Sequence, residues 1–137
     1  MSPAKPNSQQ LMHRTRAQLG LLVFQFLLGM AVNLIGDPKD LTSNFAKFAD
    51  RSILVLHIVA ALGLIVGAIM LNRLAKSSGA QAVKLAGGGA AAIGAAFICG
   101  IATLSAPFGE FWSYLMAVAF IAAFILYGKL YLLAKAN

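Results

Sequence analysis

Residues 53–72 read ILVLHIVAALGLIVGAIMLN, and this stretch decides the fold class. It contains no Asp, Glu, Lys or Arg, and its apolar residues are continuous rather than alternating with polar ones. A helix needs about 20 such residues to cross roughly 30 Å of hydrocarbon. A transmembrane strand needs only about 10 residues, and those alternate between lipid-facing and lumen-facing side chains. The stretch therefore predicts a transmembrane helix.

Three further stretches have the same character, at residues 17–36, 85–104 and 111–133. Only the last contains a charge, Lys129, close enough to the end for its long side chain to reach the interface. Turn-forming residues separate the stretches at 36–38, 77–79 and 105–109. Short connections make sequential helices antiparallel neighbours. We predict an all-α integral membrane four-helix bundle, antiparallel and up-down-up-down, forming a single membrane domain over residues 1–137.

The composition excludes other classes of protein. The chain has 137 residues, 60% of them hydrophobic and 11% charged, and a mean hydropathy of +0.81. Soluble domains are about 45–50% apolar and about a quarter charged, so a soluble globular domain and a disordered chain are both excluded. The net charge is +7, but the basic residues are too few and too scattered for nucleic acid to be a partner. The single cysteine excludes an internal disulfide.

The positive charges predict the orientation. With the N-terminus in the cytoplasm, most of the basic side chains fall inside. Those inside are Lys5, Arg14, Arg16, Arg73, Lys76, Lys84, Lys129 and Lys135, and those outside are Lys39, Lys47 and Arg51. Because cytoplasmic segments carry an excess of Lys and Arg, we predict a multi-pass protein of the inner (cytoplasmic) membrane with both termini inside. Arg14 and Arg16 before an apolar run also resemble a secretory signal peptide, whose cleavage would leave three spans, but the run has no good cleavage site.

The only substantial outer loop is at residues 37–52. Leu41, Phe45 and Phe48 fall on one helical face, which predicts a short interfacial helix over residues 41–50 lying on the outer leaflet. The alternative is that this segment is a lid over a pocket that opens outward.

Small residues indicate close contacts between helices, because membrane helices pack by close approach. Gly63 and Gly67 form a Gly-x-x-x-Gly motif, used either within the bundle or in a dimer, and the former is the favoured interpretation. The stretch 87–96 is almost all Gly and Ala, so we expect the third helix to be central. Aromatic residues near the ends of the fourth helix predict interfacial belts, with Trp112 outside and Tyr127 inside.

Polar side chains inside the spans are the candidate functional residues. By depth, we expect Asn33, His57 and Thr103 to meet in the outer third of the bundle and Gln25 to lie near mid-membrane. The first interpretation is hydrogen bonding between helices. The second is a cofactor or ligand pocket in the outer leaflet, in which His57 is also a metal ligand if haem is bound. No enzyme motif and no carboxylate inside a span is present, so catalytic residues are not assigned and an enzyme is not favoured.

A weak resemblance bears on the cofactor. Gln25-x-x-x-Gly29-x-x-x-Asn33 in the first span, and His57 before Gly63 in the second, resemble small uncharacterised bacterial four-helix integral membrane proteins. More distantly, they resemble cytochrome b561-like bundles. That second resemblance implies haem b, held by histidines on different helices.

This sequence has one histidine inside a span, His57, because His13 lies at another depth. A second axial ligand would be Met30, Met116 or His57 of a second copy, or would be missing. The cofactor therefore stays unassigned, with haem b as one candidate.

Three functions follow from these observations. The first is a non-catalytic helix bundle, acting as an accessory subunit of a membrane complex or in a homo-oligomer. The alternative is a redox protein that binds haem b or a quinone at His57. A small homodimeric channel or exporter is less favoured, because no span carries an acidic residue or a polar pore-lining stripe.

Overall fold

A computed structural model describes residues 6–35, 44–105 and 109–136, with side chains at 7–31, 47–49, 51–103 and 111–136. These residues form four helices and no strand. The helices are α1 (Pro6–Ile35), α2 (Asn44–Ala75), α3 (Ala80–Ser105) and α4 (Gly109–Ala136). The all-helical fold class is confirmed, and each predicted span other than the terminal residue of the first lies within one of these helices.

The break between α2 and α3 is formed by the predicted serines and glycine. The amide of Ser78 donates to the Ala75 carbonyl at 2.9 Å, and the Ser77 hydroxyl donates to the Leu74 carbonyl at 2.8 Å. Both bonds satisfy carbonyls that a helix end leaves without an amide partner. Gly79 has a φ of +107°, a conformation that side chains with a Cβ rarely adopt. This glycine therefore lets the chain reverse before α3.

Three helices are long and apolar enough to cross a membrane: the segments Lys47–Ala75, Ala80–Thr103 and Phe111–Ala136. They contain most of the predicted spans 53–72, 85–104 and 111–133. The helix α1 is not among the three. Its side chains are described only as far as Ala31, and its N-terminal turns carry His13, Arg14 and Arg16.

The second helix begins earlier than its apolar stretch. Residues 44–50 continue into α2 without a break, so the structure shows no separate interfacial helix there, and residues 41–43 lie outside the described part. The stretch contains no proline or glycine, and the Ser52 hydroxyl bonds the Phe48 carbonyl of its own helix at 2.9 Å. Nothing in this sequence stops the helix. At about 1.5 Å per residue, α2 exceeds the thickness of the hydrocarbon core.

Each helix packs against two others. In the described residues, α1 contacts α2 and α4, and α3 contacts the same two helices. The expectation that α3 is central is therefore wrong, since α3 and α1 are not in contact there. The small residues of α3 instead let one neighbour, α4, approach closely. A Cβ added to Gly88 would lie 3.2 Å from Cδ1 of Leu126.

Packing differs between the two ends of the helices. We call residues 6–22, 60–75, 80–93 and 123–136 the packed half, and residues 23–35, 44–59, 94–105 and 109–122 the open half. Every side chain that the structure describes as fully buried lies in the packed half. Its apolar core consists of Leu11, Leu22, Leu64, Ala68, Leu71, Ala75, Ala82, Ala86, Ile93, Ala123, Tyr127, Leu130 and Ala134. In the open half, the described side chains are all half-buried or exposed.

Candidate binding site

His57 lies in the open half and faces α1. Its ring packs over Gly29: a Cβ added to that glycine would lie 3.3 Å from the ring carbon Cε1 and 3.8 Å from Nδ1. The missing side chain at Gly29 therefore creates the space that the imidazole fills. This placement puts His57 between two helices of its own chain rather than on the lipid-facing surface.

Gln25 is the polar partner of His57. The amide Nε2 of Gln25 lies 3.0 Å from Nε2 of His57, a normal hydrogen-bond distance. The neutral imidazole has one donor and one acceptor nitrogen, so the amide donates to Nε2 when the ring proton is on Nδ1. With the amide turned over, the Gln25 oxygen accepts from Nε2–H instead. In both arrangements the bond joins α1 to α2.

Two atoms of this pair have no hydrogen-bond partner among the described residues. They are Oε1 of Gln25 and Nδ1 of His57, and both are buried. A buried polar group without a partner costs about 1–3 kcal/mol. The pair is therefore incomplete as a hydrogen-bonding unit, and it is the one candidate site that the described residues assemble from two helices of the open half.

Thr103 does not join this pair through a hydrogen bond. The Thr103 hydroxyl donates to the Cys99 carbonyl of its own helix at 2.9 Å. The backbone of Asn33 is in α1, but its side chain lies outside the described residues. The expected meeting of Asn33, His57 and Thr103 is thus not seen in the described part, which instead brings together Gln25 and His57.

The described residues do not fit a haem between helices of one chain. Nε2 of His57 is taken by Gln25, and Nδ1 is buried beside Gly29. Met30 is 45% exposed, and the sulfur of Met116 lies against Gly100 at the contact of α3 with α4. Within the described ranges no group of three or more His, Cys, Asp or Glu side chains is placed to hold a metal ion.

A second polar contact joins the same two helices in the packed half. Gln18 is 4% exposed, and its Nε2 donates to the Leu64 carbonyl at 2.9 Å. A Cβ added to Gly67 would collide with the Gln18 amide oxygen, and one added to Gly63 would lie 3.3 Å from Leu21 Cδ2. The Gly-x-x-x-Gly motif is thus used within the chain, against α1, as the favoured interpretation had it.

Tyr127 was misplaced by the sequence interpretation, which put it in the inner interfacial belt. Its side chain is 0% exposed, and a Cβ added to Gly89 would lie 2.6 Å from its Cζ. Its hydroxyl is buried with no hydrogen-bond partner among the described residues. The Gly87–Gly89 run was the available signal, because three glycines in a row leave room for one bulky ring from a neighbour.

Comparison with family models, with curated proteins and with solved structures finds no match to this chain. Functional assignment therefore rests on the geometry alone.

Proposed function

We propose that the chain is an integral membrane four-helix bundle, antiparallel and up-down-up-down, with the predicted first span 17–36 as its fourth membrane helix. The contacts between α1 and α2 support this arrangement. Gly29 packs on His57 whereas Gln18 packs on Gly67, so residue numbers rise along one helix as they fall along the other. Large apolar side chains are exposed on the outward faces of all four helices, as a lipid environment requires.

We place the packed half on the cytoplasmic side of the inner membrane, with both termini inside. Exposed basic side chains collect at that end of the described chain. They are Arg14, Arg16, Arg73, Lys76, Lys84, Lys129 and Lys135. An excess of Lys and Arg on one side is the strongest sequence determinant of membrane orientation.

Single-cysteine labelling in intact cells tests this orientation. In a Cys99→Ser background, we expect a membrane-impermeant maleimide to label Lys47→Cys and to spare Lys76→Cys until the cells are opened. The reverse pattern, or equal labelling of the two positions, would overturn the proposed orientation. Both lysines are exposed, Lys47 near the start of α2 and Lys76 directly after its last residue, so each serves as the control for the other.

For its role, we propose a non-catalytic accessory subunit of a membrane complex. The observation that carries the proposal is that several polar side chains inside the helices bond another helix or their own backbone. Gln18 bonds the Leu64 carbonyl, Gln25 bonds His57, and the Thr15 hydroxyl bonds the Leu11 carbonyl at 2.7 Å. Polar groups used in this way hold a bundle together.

Site-specific photo-cross-linking tests the accessory role. A benzophenone amino acid at Val59 on α2, or at Val118 on α4, replaces a side chain that is exposed on the outer surface. We expect one of the two faces to give one discrete protein adduct in native membranes and the other to give only lipid adducts. If the α2 face is the interface, a probe at Leu62, one turn along α2 from Val59, should give the same adduct. Lipid adducts alone from both faces would contradict the proposal.

The redox alternative is tested by an absorption spectrum of the detergent-purified protein, oxidised and then reduced with dithionite. Because Nε2 of His57 is hydrogen-bonded to Gln25, we expect a spectrum without haem bands. A Soret band near the protein stoichiometry would make His57 an axial ligand and would overturn the non-catalytic role.

The channel or exporter function is the least supported. Fully buried Leu22, Leu71, Tyr127 and Leu130 from three helices fill the interior of the packed half, which leaves a solute no polar route through one chain. We expect liposomes containing the protein to take up no ion or small solute selectively.

A further inference from the structure

We propose that the open half contains a binding site for an uncharged, lipid-soluble molecule whose polar head both donates and accepts hydrogen bonds. The head contacts Nδ1 of His57 and the free end of the Gln25 amide. This inference rests on the proposed membrane placement, but it is independent of the accessory role.

The hydrogen-bonding capacity of the pair defines the polar head. If Gln25 donates to His57, the groups left over are a donor, Nδ1–H, and an acceptor, Oε1. If the amide is turned over, Nδ1 becomes the acceptor and the amide nitrogen the donor. Both arrangements leave one donor and one acceptor, and these are the atoms buried without partners. A hydroxyl group can both donate and accept, so a hydroxyl-bearing head matches either arrangement.

The charges around the pair exclude an ionic head. In the open half, the described basic side chains are Lys47 and Arg51, both exposed and both near the start of α2. His57 lies further along that helix, against Gln25 and Gly29 of α1. A charged group beside it would find no counter-charge among the described side chains, and burying an unpaired charge costs far more than burying a neutral polar group.

The surroundings of the pair are apolar and less tightly packed than the packed half. No described side chain of the open half is fully buried. Phe26 of α1 stacks on Phe120 of α4 with ring centroids 5.3 Å apart, and this stack adds aromatic surface to the open half. A membrane-soluble molecule with an apolar tail and a hydroxyl head therefore matches both the polar pair and its surroundings.

Histidine ¹⁵N resonances give a direct readout, because the chain has only two histidines. His13 is exposed in the N-terminal part of α1 and is the internal control. The probe is decyl-hydroquinone, kept anaerobic and added to ¹⁵N-histidine-labelled protein in detergent. The matched control compound is its dimethyl ether, which has the same tail and ring but cannot donate.

We expect decyl-hydroquinone to shift the His57 Nδ1 resonance saturably, with His13 unchanged and with the dimethyl ether at least tenfold weaker. Gln25→Leu should weaken the binding about tenfold, the loss expected for one buried hydrogen bond. Gln18→Leu removes a similar amide in the packed half and should leave the affinity unchanged. Circular dichroism of both variants establishes that the helices remain.

Three results would overturn the site. The first is a His57 resonance that does not respond to the probe. This result is expected if ordered water alone bonds the two unpartnered atoms of Gln25 and His57. The second is an equal response to the dimethyl ether, which indicates non-specific partitioning. The third is binding that is indifferent to Gln25→Leu. None of these results affects the cysteine labelling pattern, so failure of the site is distinguishable from failure of the membrane orientation.

Discussion

The packed and open halves join the same helices in different ways. In the packed half, α1 meets α2 through Gly63 and Gly67, and α3 meets α4 through Gly88 and Gly89. The core side chains there pack between the helices and are buried. In the open half, α1 meets α2 through the hydrogen bond between Gln25 and His57 and through the His57 ring packed over Gly29, and no described side chain is fully buried.

Both halves combine a glycine contact with a polar bond between α1 and α2, and they differ in how fully side chains are buried around that bond. In a bilayer, the hydrophobic effect does not drive helices together, and small residues stabilise a contact by allowing close approach. The packed half therefore supplies most of the stability. The open half keeps a polar pair in which two buried atoms have no partner among the described residues.

The largest effect should come from Gly89→Ala. Its Cβ would overlap the Tyr127 ring, which is fully buried and has nowhere to move, so we expect a destabilisation of about 2–3 kcal/mol. Reversible unfolding in mixed micelles of mild detergent and SDS measures it. Gly94→Ala on the same helix meets nothing within 4 Å and should leave the stability unchanged. Equal stability of the two variants would remove the distinction between the halves.

Gly67→Ala should have the next largest effect. The new methyl group would displace the Gln18 amide and break its bond to the Leu64 carbonyl, at a cost of about 1–2 kcal/mol. The same unfolding assay applies, with Gly20→Ala as the control because nothing lies within 4 Å of a Cβ there. Combining Gly67→Ala with Gln18→Ala should recover part of the loss, and strict additivity would contradict the contact.

Gln25→Leu tests the open half and should cost less. Interhelical hydrogen bonds in membranes contribute about 0.6 kcal/mol on average, and part of the pair is already unsatisfied. A double-mutant cycle with His57→Phe isolates the coupling between the two side chains. A coupling as large as the Gly89→Ala effect would show that the open half is as important to stability as the packed half.

The smallest effect should come from Thr103→Val. The hydroxyl bonds only a carbonyl of its own helix, so we expect a change within about 0.5 kcal/mol in unfolding and none in decyl-hydroquinone affinity. If Thr103→Val bound decyl-hydroquinone more weakly, Thr103 would be part of the binding site, as the sequence analysis predicts.

Much of the fold was predictable, because it depends on local properties of the sequence. The apolar stretches at 53–72, 85–104 and 111–133 lie within three helices that are long enough to cross a membrane. The break at 77–79 depends on serines and a glycine that act on their immediate neighbours. The continuation of α2 through residues 44–50 was missed, because amphipathic spacing alone does not say whether a helix is separate from the next one.

The candidate site was predictable only in part. Gln25 and His57 were both selected, since polar side chains inside apolar spans are rare. Their pairing was missed, because it depends on the register between α1 and α2, which the Gly29 contact sets. The burial of Tyr127 was missed for a similar reason: a tyrosine near a helix end suits an interface until a neighbouring helix presents Gly89 to its ring.

The central claim is that a polar pair joins α1 to α2 inside the open half, and the ¹⁵N spectrum of His57 in lipid bilayers, before any probe is added, tests it most directly. The account predicts a neutral imidazole whose Nε2 resonance shows a hydrogen bond and shifts in Gln25→Leu, while His13 does not change. A His57 signal that matches the exposed His13 and is unaffected by Gln25→Leu would contradict the account.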